Sequence, residues 1–168
     1  MISVEHARTM AAYNRWQNES IYGAADTLSD AQRKEERGAF FGSIHRTLNH
    51  LMWADVIWMS RFDKSIRPPS AKRPAESTAQ YPDWMALKEA RAAFDGTIAA
   101  WADRLNPDWL QGDLTWFSGA AGREITRPAG FLVAHFFNHQ THHRGQVHCL
   151  LTQFGAKPSD TDLPMMRT

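Results

Sequence analysis

The sequence has a single cysteine, Cys149, in 168 residues. One cysteine excludes an intrachain disulfide and also excludes a zinc site built from several cysteines. Blocks of basic residues are missing as well, because the 19 Lys and Arg residues are interspersed with 18 Asp and Glu residues. This balanced charge does not predict binding to nucleic acid.

Long apolar runs are also missing. The longest uncharged run, residues 128–143, contains histidines and amides, so it does not predict a membrane-spanning helix. The N-terminal residues lack a basic start followed by an apolar stretch, which predicts no signal peptide and a cytoplasmic location. With 43% hydrophobic and 22% charged residues, the composition is that of a globular protein. We expect one domain over residues 1–168.

Four long amphipathic segments predict an all-α fold. In each of them apolar residues recur at intervals of three and four, which is the helical period. The predicted helices cover residues 4–27, 43–62, 82–105 and 128–154. Ser3 is a suitable N-cap for the first helix, although Asn14 and Asn18 interrupt its apolar stripe. Residues 29–38 form a polar link to the second helix.

The two remaining connections differ in character. Residues 63–81 contain three prolines and are long for a link between the helices of a hairpin. They suit a crossover that lets the second and third helices run parallel. Residues 113–126 have the pattern of strand, glycine-rich turn and strand. We therefore expect a four-helix bundle with a small β-hairpin or extended insertion between the third and fourth helices.

The fourth predicted helix is rich in histidine. Four histidines fall within nine residues there: His135, His139, His142 and His143. Helix positions four apart are separated by about 40° around the axis, so His139 and His143 can share one metal ion. His135 and His139 have the same spacing, but the apolar stripe favours the first pair. Imidazoles in an apolar seam need polar partners, and a metal ion is one.

A third ligand should come from another helix, because two imidazoles alone bind a metal weakly. The second predicted helix offers His45, His50 and Asp55, and the residues themselves do not decide among these three. Asp55 lies on the apolar stripe of this helix, where a carboxylate needs a partner. It is therefore either a structural anchor or a group that orients a ligand ring.

Two motifs resemble those of the DinB/YfiT-like family. The sequence TLNHLMWAD at residues 47–55 resembles the second-helix motif of the family, and NHQTHHRGQ at residues 138–146 is similar to its fourth-helix motif. The resemblance extends along nearly the whole chain. It implies an up-down-down-up four-helix bundle, a homodimer, and a divalent metal bound by His50, His139 and His143.

The resemblance also implies a class of chemistry. A neutral three-histidine site suits Zn²⁺ or Ni²⁺ and leaves a coordination position open. Family members with known reactions include transferases and isomerases that use bacillithiol, mycothiol or glutathione. We therefore expect a metal-dependent enzyme acting on a small molecule, either a transferase with a low-molecular-weight thiol cosubstrate or a hydrolase. Its candidate catalytic residues are Asp55, His135 and His142.

The alternative is a non-enzymatic, stress-responsive bundle in which the metal ion is structural and ties the second helix to the fourth. A convincing general base would favour the enzyme. Neither a nucleic acid nor a membrane is expected as a partner.

Overall fold

Helices dominate the computed structural model, which describes residues 2–71, 73–119 and 121–166. In chain order the elements are α1 (Val4–Asp26), α2 (Asp30–Lys34), α3 (Ile44–Phe62), a 3-10 helix (Pro74–Ala79), α4 (Trp84–Asp103), α5 (Pro107–Gln111), β1 (Asp113–Ser118), β2 (Arg123–Pro128), α6 (Ala129–Gln153) and a second 3-10 helix (Leu163–Met165). The mainly helical fold with one small sheet is confirmed. Within the described ranges, no helix combines the length and apolarity that crossing a membrane would require.

The first turns of three long helices are capped by side chains. Ser3, Ser43 and Asp83 each accept a hydrogen bond from the backbone amide three residues later. Such a cap satisfies an amide that the first helical turn leaves without a partner. The predicted cap at Ser3 is confirmed. Because Asp83 is the cap of α4, Pro82 lies outside the helix that we predicted to begin there.

Two segments predicted as irregular contain short helices. In the polar link at residues 29–38, Ser29 and Gln32 form a reciprocal capping box that starts α2. In the long connection at residues 63–81, the chain forms the first 3-10 helix, while Lys72 lies outside the described residues. Both helices are too short for a helical period to be visible in the sequence.

The predicted β-hairpin lies between α5 and α6. β1 and β2 pair in antiparallel register, with Trp116 opposite Ile125. Gly122 has a φ of 64°, in the left-handed region that glycine adopts most easily, and its amide donates to the Ser118 carbonyl over 2.8 Å. Ala120 of the predicted turn lies outside the described residues.

The long helices bury two apolar clusters. The first joins the start of α1, the ends of α3 and α4, and the start of α6; it includes Ala7, Phe62, Ile98, Trp101 and Phe136. The second joins the opposite ends of the same four helices; it includes Ile21, Leu48, Leu87, Val147 and Leu151. Each helix thus contributes apolar residues near both of its ends.

Between the two clusters lies a set of buried polar side chains, which we call the polar layer. Its members come from all four long helices: Asn14, Asn18, Asp55, Arg91, Asp95, Gln140 and Arg144. Arg91 is 2% exposed and forms ion pairs with Asp55 over 2.7 Å and with Asp95 over 2.9 Å. A buried charge needs such partners, so the polar layer joins α3 to α4.

Amides and a second arginine complete the polar layer. Asn14 and Asn18 of α1 donate to Asp95 over 2.8 and 3.0 Å. From α6, Gln140 donates to Asp55 over 3.0 Å, and Arg144 donates to the side-chain oxygen of Asn14. The two asparagines that interrupt the apolar stripe of the first helix are therefore core residues at the level of this layer.

Replacing Arg91 with methionine should lower the free energy of unfolding by about 3–5 kcal/mol, because both carboxylates would stay buried without the guanidinium that pairs with them. Urea unfolding followed by circular dichroism measures the change. The matched control is Arg104→Met, since Arg104 pairs with Asp63 at the surface and exposed pairs contribute little. Equal losses in the two variants would contradict a central role for Arg91.

Candidate metal centre

Three imidazoles converge between α3 and α6. The Nε2 atom of His139 lies 3.4 Å from Nε2 of His50 and 3.1 Å from Nε2 of His143. One nitrogen from each of the three rings lies within 4.8 Å of the others. Two nitrogens bound to a tetrahedral zinc ion at about 2.05 Å would be about 3.3 Å apart. The three histidines are therefore positioned to hold a divalent ion.

The helices explain this convergence. His139 and His143 lie one turn apart on α6, and α3, which carries His50, packs against α6. The other two candidates on α3 are used elsewhere. His45 is buried, with Nε2 2.7 Å from the Tyr81 carbonyl oxygen, and Asp55 belongs to the polar layer. Of the three, only His50 joins the cluster.

The outer nitrogens of two rings have hydrogen-bond partners. Nδ1 of His50 is 2.8 Å from Oγ of Ser77, and Nδ1 of His143 donates to Oε1 of Gln146 over 2.8 Å. The other end of the Gln146 amide donates to Nε2 of His142 over 3.2 Å. A proton held on Nδ1 leaves the Nε2 lone pair free for a metal, and such bonds also fix the ring orientation.

Burial keeps the three rings neutral. It lowers the pKa of His139 to about 3 and that of His50 to about 4, with a further contribution from the neighbouring His143. Burial lowers the pKa of His143 as well. Because a metal binds only the unprotonated imidazole, protons do not compete for these nitrogens near neutral pH.

An aromatic ring covers one side of the cluster. Phe41 stacks on His50 with ring centroids 3.9 Å apart and an angle of 27° between the planes, and its centroid is 5.4 Å from that of His143. Phe41 lies in a tight turn closed by Gly42, whose φ is 83°, a value that favours glycine. The ring shields this side of the histidines from water.

Sequence reasoning missed three contributors to the site. Phe41 follows the segment interpreted as a polar link, and Ser77 lies in the long connection, where nothing in the local sequence signals its role. Gln146 bonds to His142 and His143 of α6 itself. Its position three residues after His143 was the signal that could have identified it.

The three catalytic candidates have different surroundings. Oδ2 of Asp55 accepts hydrogen bonds from Arg91 and Gln140, and His142 is exposed and bonded to Gln146. His135 is also exposed, with its ring centroid 5.9 Å from that of His139. Only His135 therefore adjoins the cluster without a hydrogen bond inside the described part of the chain. The catalytic roles stay predictions.

Comparison with known proteins identifies the family of this chain. The sequence model of the DinB family matches residues 3–168, so the chain belongs to the DinB family. A DinB-like protein of known crystal structure, from Bacillus cereus ATCC 10987, superposes with a TM-score of 0.60 and 19% sequence identity, covering 86% of this chain and 90% of the other. At that identity the likeness shows the fold alone. No curated protein matches the chain.

Replacing His50, His139 or His143 individually with alanine should weaken zinc binding by about a hundredfold or more, because each change removes one of three ligands. Competition with a chromogenic chelator measures the affinity. His6→Ala is the matched control, since His6 is exposed on α1 and lies outside the cluster. Wild-type affinity in all three cluster variants would show that the ion binds elsewhere.

Proposed function

We propose that the protein binds one divalent metal ion per chain, Zn²⁺ or Ni²⁺, through Nε2 of His50, His139 and His143. The observation that carries this proposal is the convergence of three Nε2 atoms while the Nδ1 atoms of two rings are hydrogen-bonded to Ser77 and Gln146. Neutral imidazoles suit both metals, and the donor set alone does not separate them.

We propose further that the protein is a metal-dependent enzyme using a low-molecular-weight thiol. When bound, the ion would supply a Lewis-acidic position that lowers the pKa of a thiol or of water. Three protein ligands leave room for such an exogenous group, as in catalytic rather than structural sites. Cys149 is exposed on α6 and six residues beyond His143, about 120° away around the helix. An external thiol is therefore favoured.

The surroundings of the cluster favour thiol transfer over hydrolysis. A thiol that coordinates a metal is deprotonated outright, whereas water bound to Zn²⁺ keeps a pKa of about 7, so a thiol needs less help from a protein base. Two of the three candidate bases, Asp55 and His142, already accept hydrogen bonds. His135 is the remaining group that could accept a proton, and partial desolvation of its ring, together with the charge of Arg61, lowers its pKa. Hydrolysis is the second candidate reaction.

A structural ion is the competing proposal. The three histidines come from α3 and α6, and Ser77 comes from the 3-10 helix packed on α3. An ion held there would tie these elements together and stabilise the folded state. The two proposals differ in one respect, because only the enzyme requires the ion to accept an exogenous ligand.

We also propose an up-down-down-up bundle that assembles as a homodimer. Support for the topology comes from the apolar clusters, in which the start of α1 meets the ends of α3 and α4 and the start of α6. Helices α3 and α4 would then run opposite to α1 and α6, with the long connection at residues 63–81 as the crossover. The homodimer follows from the family resemblance and is testable by light scattering.

Cobalt substitution separates the enzyme from the structural site. In cobalt-loaded protein, bacillithiol, mycothiol or glutathione should produce a sulfur-to-metal absorption band, because the open position accepts a thiol. S-methylglutathione, which lacks a free thiol, is the matched control and should produce none. His139→Ala should lose the band.

Two outcomes would decide against this account. A response to phosphate or carboxylate compounds but to none of the thiols would favour the hydrolase. If no small molecule changes the spectrum, the enzyme proposal fails and the structural ion is left.

A further inference from the structure

A second group of side chains lies along the same helix face as the metal centre. Arg61 follows His50 by eleven residues on α3, which places it on the same face of the helix and about 16 Å along the axis. Trp58 lies between them, and the hairpin residue Trp116 contacts the same group. We call Trp58, Arg61 and Trp116 the arginine cluster.

Two aromatic rings contact the guanidinium of Arg61. Cζ of Arg61 lies 4.4 Å from the ring centroid of Trp58 and 5.4 Å from that of Trp116. The two indole centroids are 5.5 Å apart. Cation–π contacts of this kind attract the charged group to the rings. A guanidinium has five N–H donors, and those of Arg61 have no hydrogen-bond partner within the described part of the chain, so they can donate to a ligand.

Arg61 has no acidic partner among the residues that the structure describes. The nearest acid in sequence, Asp63, accepts hydrogen bonds from Arg104 over 2.9 Å and from the Ser65 amide over 2.9 Å. Arg61 itself is half-buried, and burial lowers its pKa to about 10, so it remains charged at neutral pH. A partly desolvated cation without a counter-ion is unfavourable, and an anion that binds there offsets this cost.

A series of rings connects the arginine cluster to the metal centre. The centroid of Trp58 lies 5.1 Å from that of His135 on α6. His135 in turn lies 5.9 Å from His139. The two groups are therefore the ends of one strip of surface where α3 faces α6, and the hairpin contributes Trp116 at its far end.

We propose that Arg61, which contacts the rings of Trp58 and Trp116, binds the carboxylate or phosphate group of an elongated ligand whose other end lies at the histidine cluster. Arginine recognises both oxyanions through paired N–H donors. The anion site stands independently of the metal, whereas the statement about the other end of the ligand rests on the proposed function. The hairpin thus acquires a role in ligand recognition.

The first test uses two probes that differ only at one end. On zinc-loaded protein, 8-mercaptooctanoate should bind about tenfold more tightly than 8-mercaptooctanol, because only the carboxylate gains charge-assisted bonds from Arg61. Arg61→Met should remove this preference while leaving the affinity for 8-mercaptooctanol unchanged. Arg61→Lys, which keeps the charge, should retain part of the preference for 8-mercaptooctanoate. Arg104→Met, at an arginine already paired with Asp63, should behave as wild type.

The second test needs no metal. Octanoate and octyl phosphate are titrated calorimetrically into metal-free protein, and both should bind wild type more tightly than they bind Arg61→Met. The compound that binds wild type more tightly shows whether the site prefers a carboxylate or a phosphate. Weaker binding of these two anions to Arg61→Met would support the anion site whatever happens at the metal. If 8-mercaptooctanol failed to bind the zinc-loaded protein, that failure would contradict only the proposed function.

Two results would overturn the proposal. One is equal binding of octanoate and octyl phosphate to wild type and Arg61→Met. The other is a parallel loss of 8-mercaptooctanol and 8-mercaptooctanoate binding in Arg61→Met with a lowered melting temperature, which would mean that Arg61 only packs the hairpin against α3.

Discussion

Arg91 carries a positive charge in the interior, and Asp55 and Asp95 must stay within ion-pair distance for the fold to tolerate it. The remaining polar side chains of this layer bond to those carboxylates or to each other. These bonds fix the position of each long helix along its axis relative to the other three. Apolar contacts at the two ends of the helices add stability but are less directional. The polar layer thus fixes the register of the helices on which the site depends.

The placement of the three clustered histidines follows from that register. On α6, Gln140 and Arg144 belong to the polar layer, and each directly follows a histidine of the cluster. Gln140 bonds to Asp55 of α3, and Arg144 bonds to Asn14 of α1. These two contacts fix the rotation of α6 about its own axis. Successive helix positions are about 100° apart, so this rotation turns His139 and His143 towards His50. Ser77 and Gln146 then orient two of the rings.

Part of this arrangement could be predicted from the sequence. The long helices, the hairpin and the i, i+4 histidine pair follow from periodicity and turn residues, and the family motifs identified His50. The roles of Arg91, Asn14 and Asn18 could not be foreseen, since local patterns do not show which polar residues meet across helices. Phe41, Ser77 and Trp116 come from connections, where side-chain direction depends on tertiary packing.

We propose that three imidazoles of this chain bind one divalent ion and leave a coordination position open. X-ray absorption spectroscopy of the zinc-loaded protein tests it most directly. The account predicts three imidazole nitrogens at about 2.0–2.1 Å from the ion, together with at least one exogenous ligand. A shell of oxygen ligands without imidazole scattering, or a spectrum unchanged by His139→Ala, would contradict it.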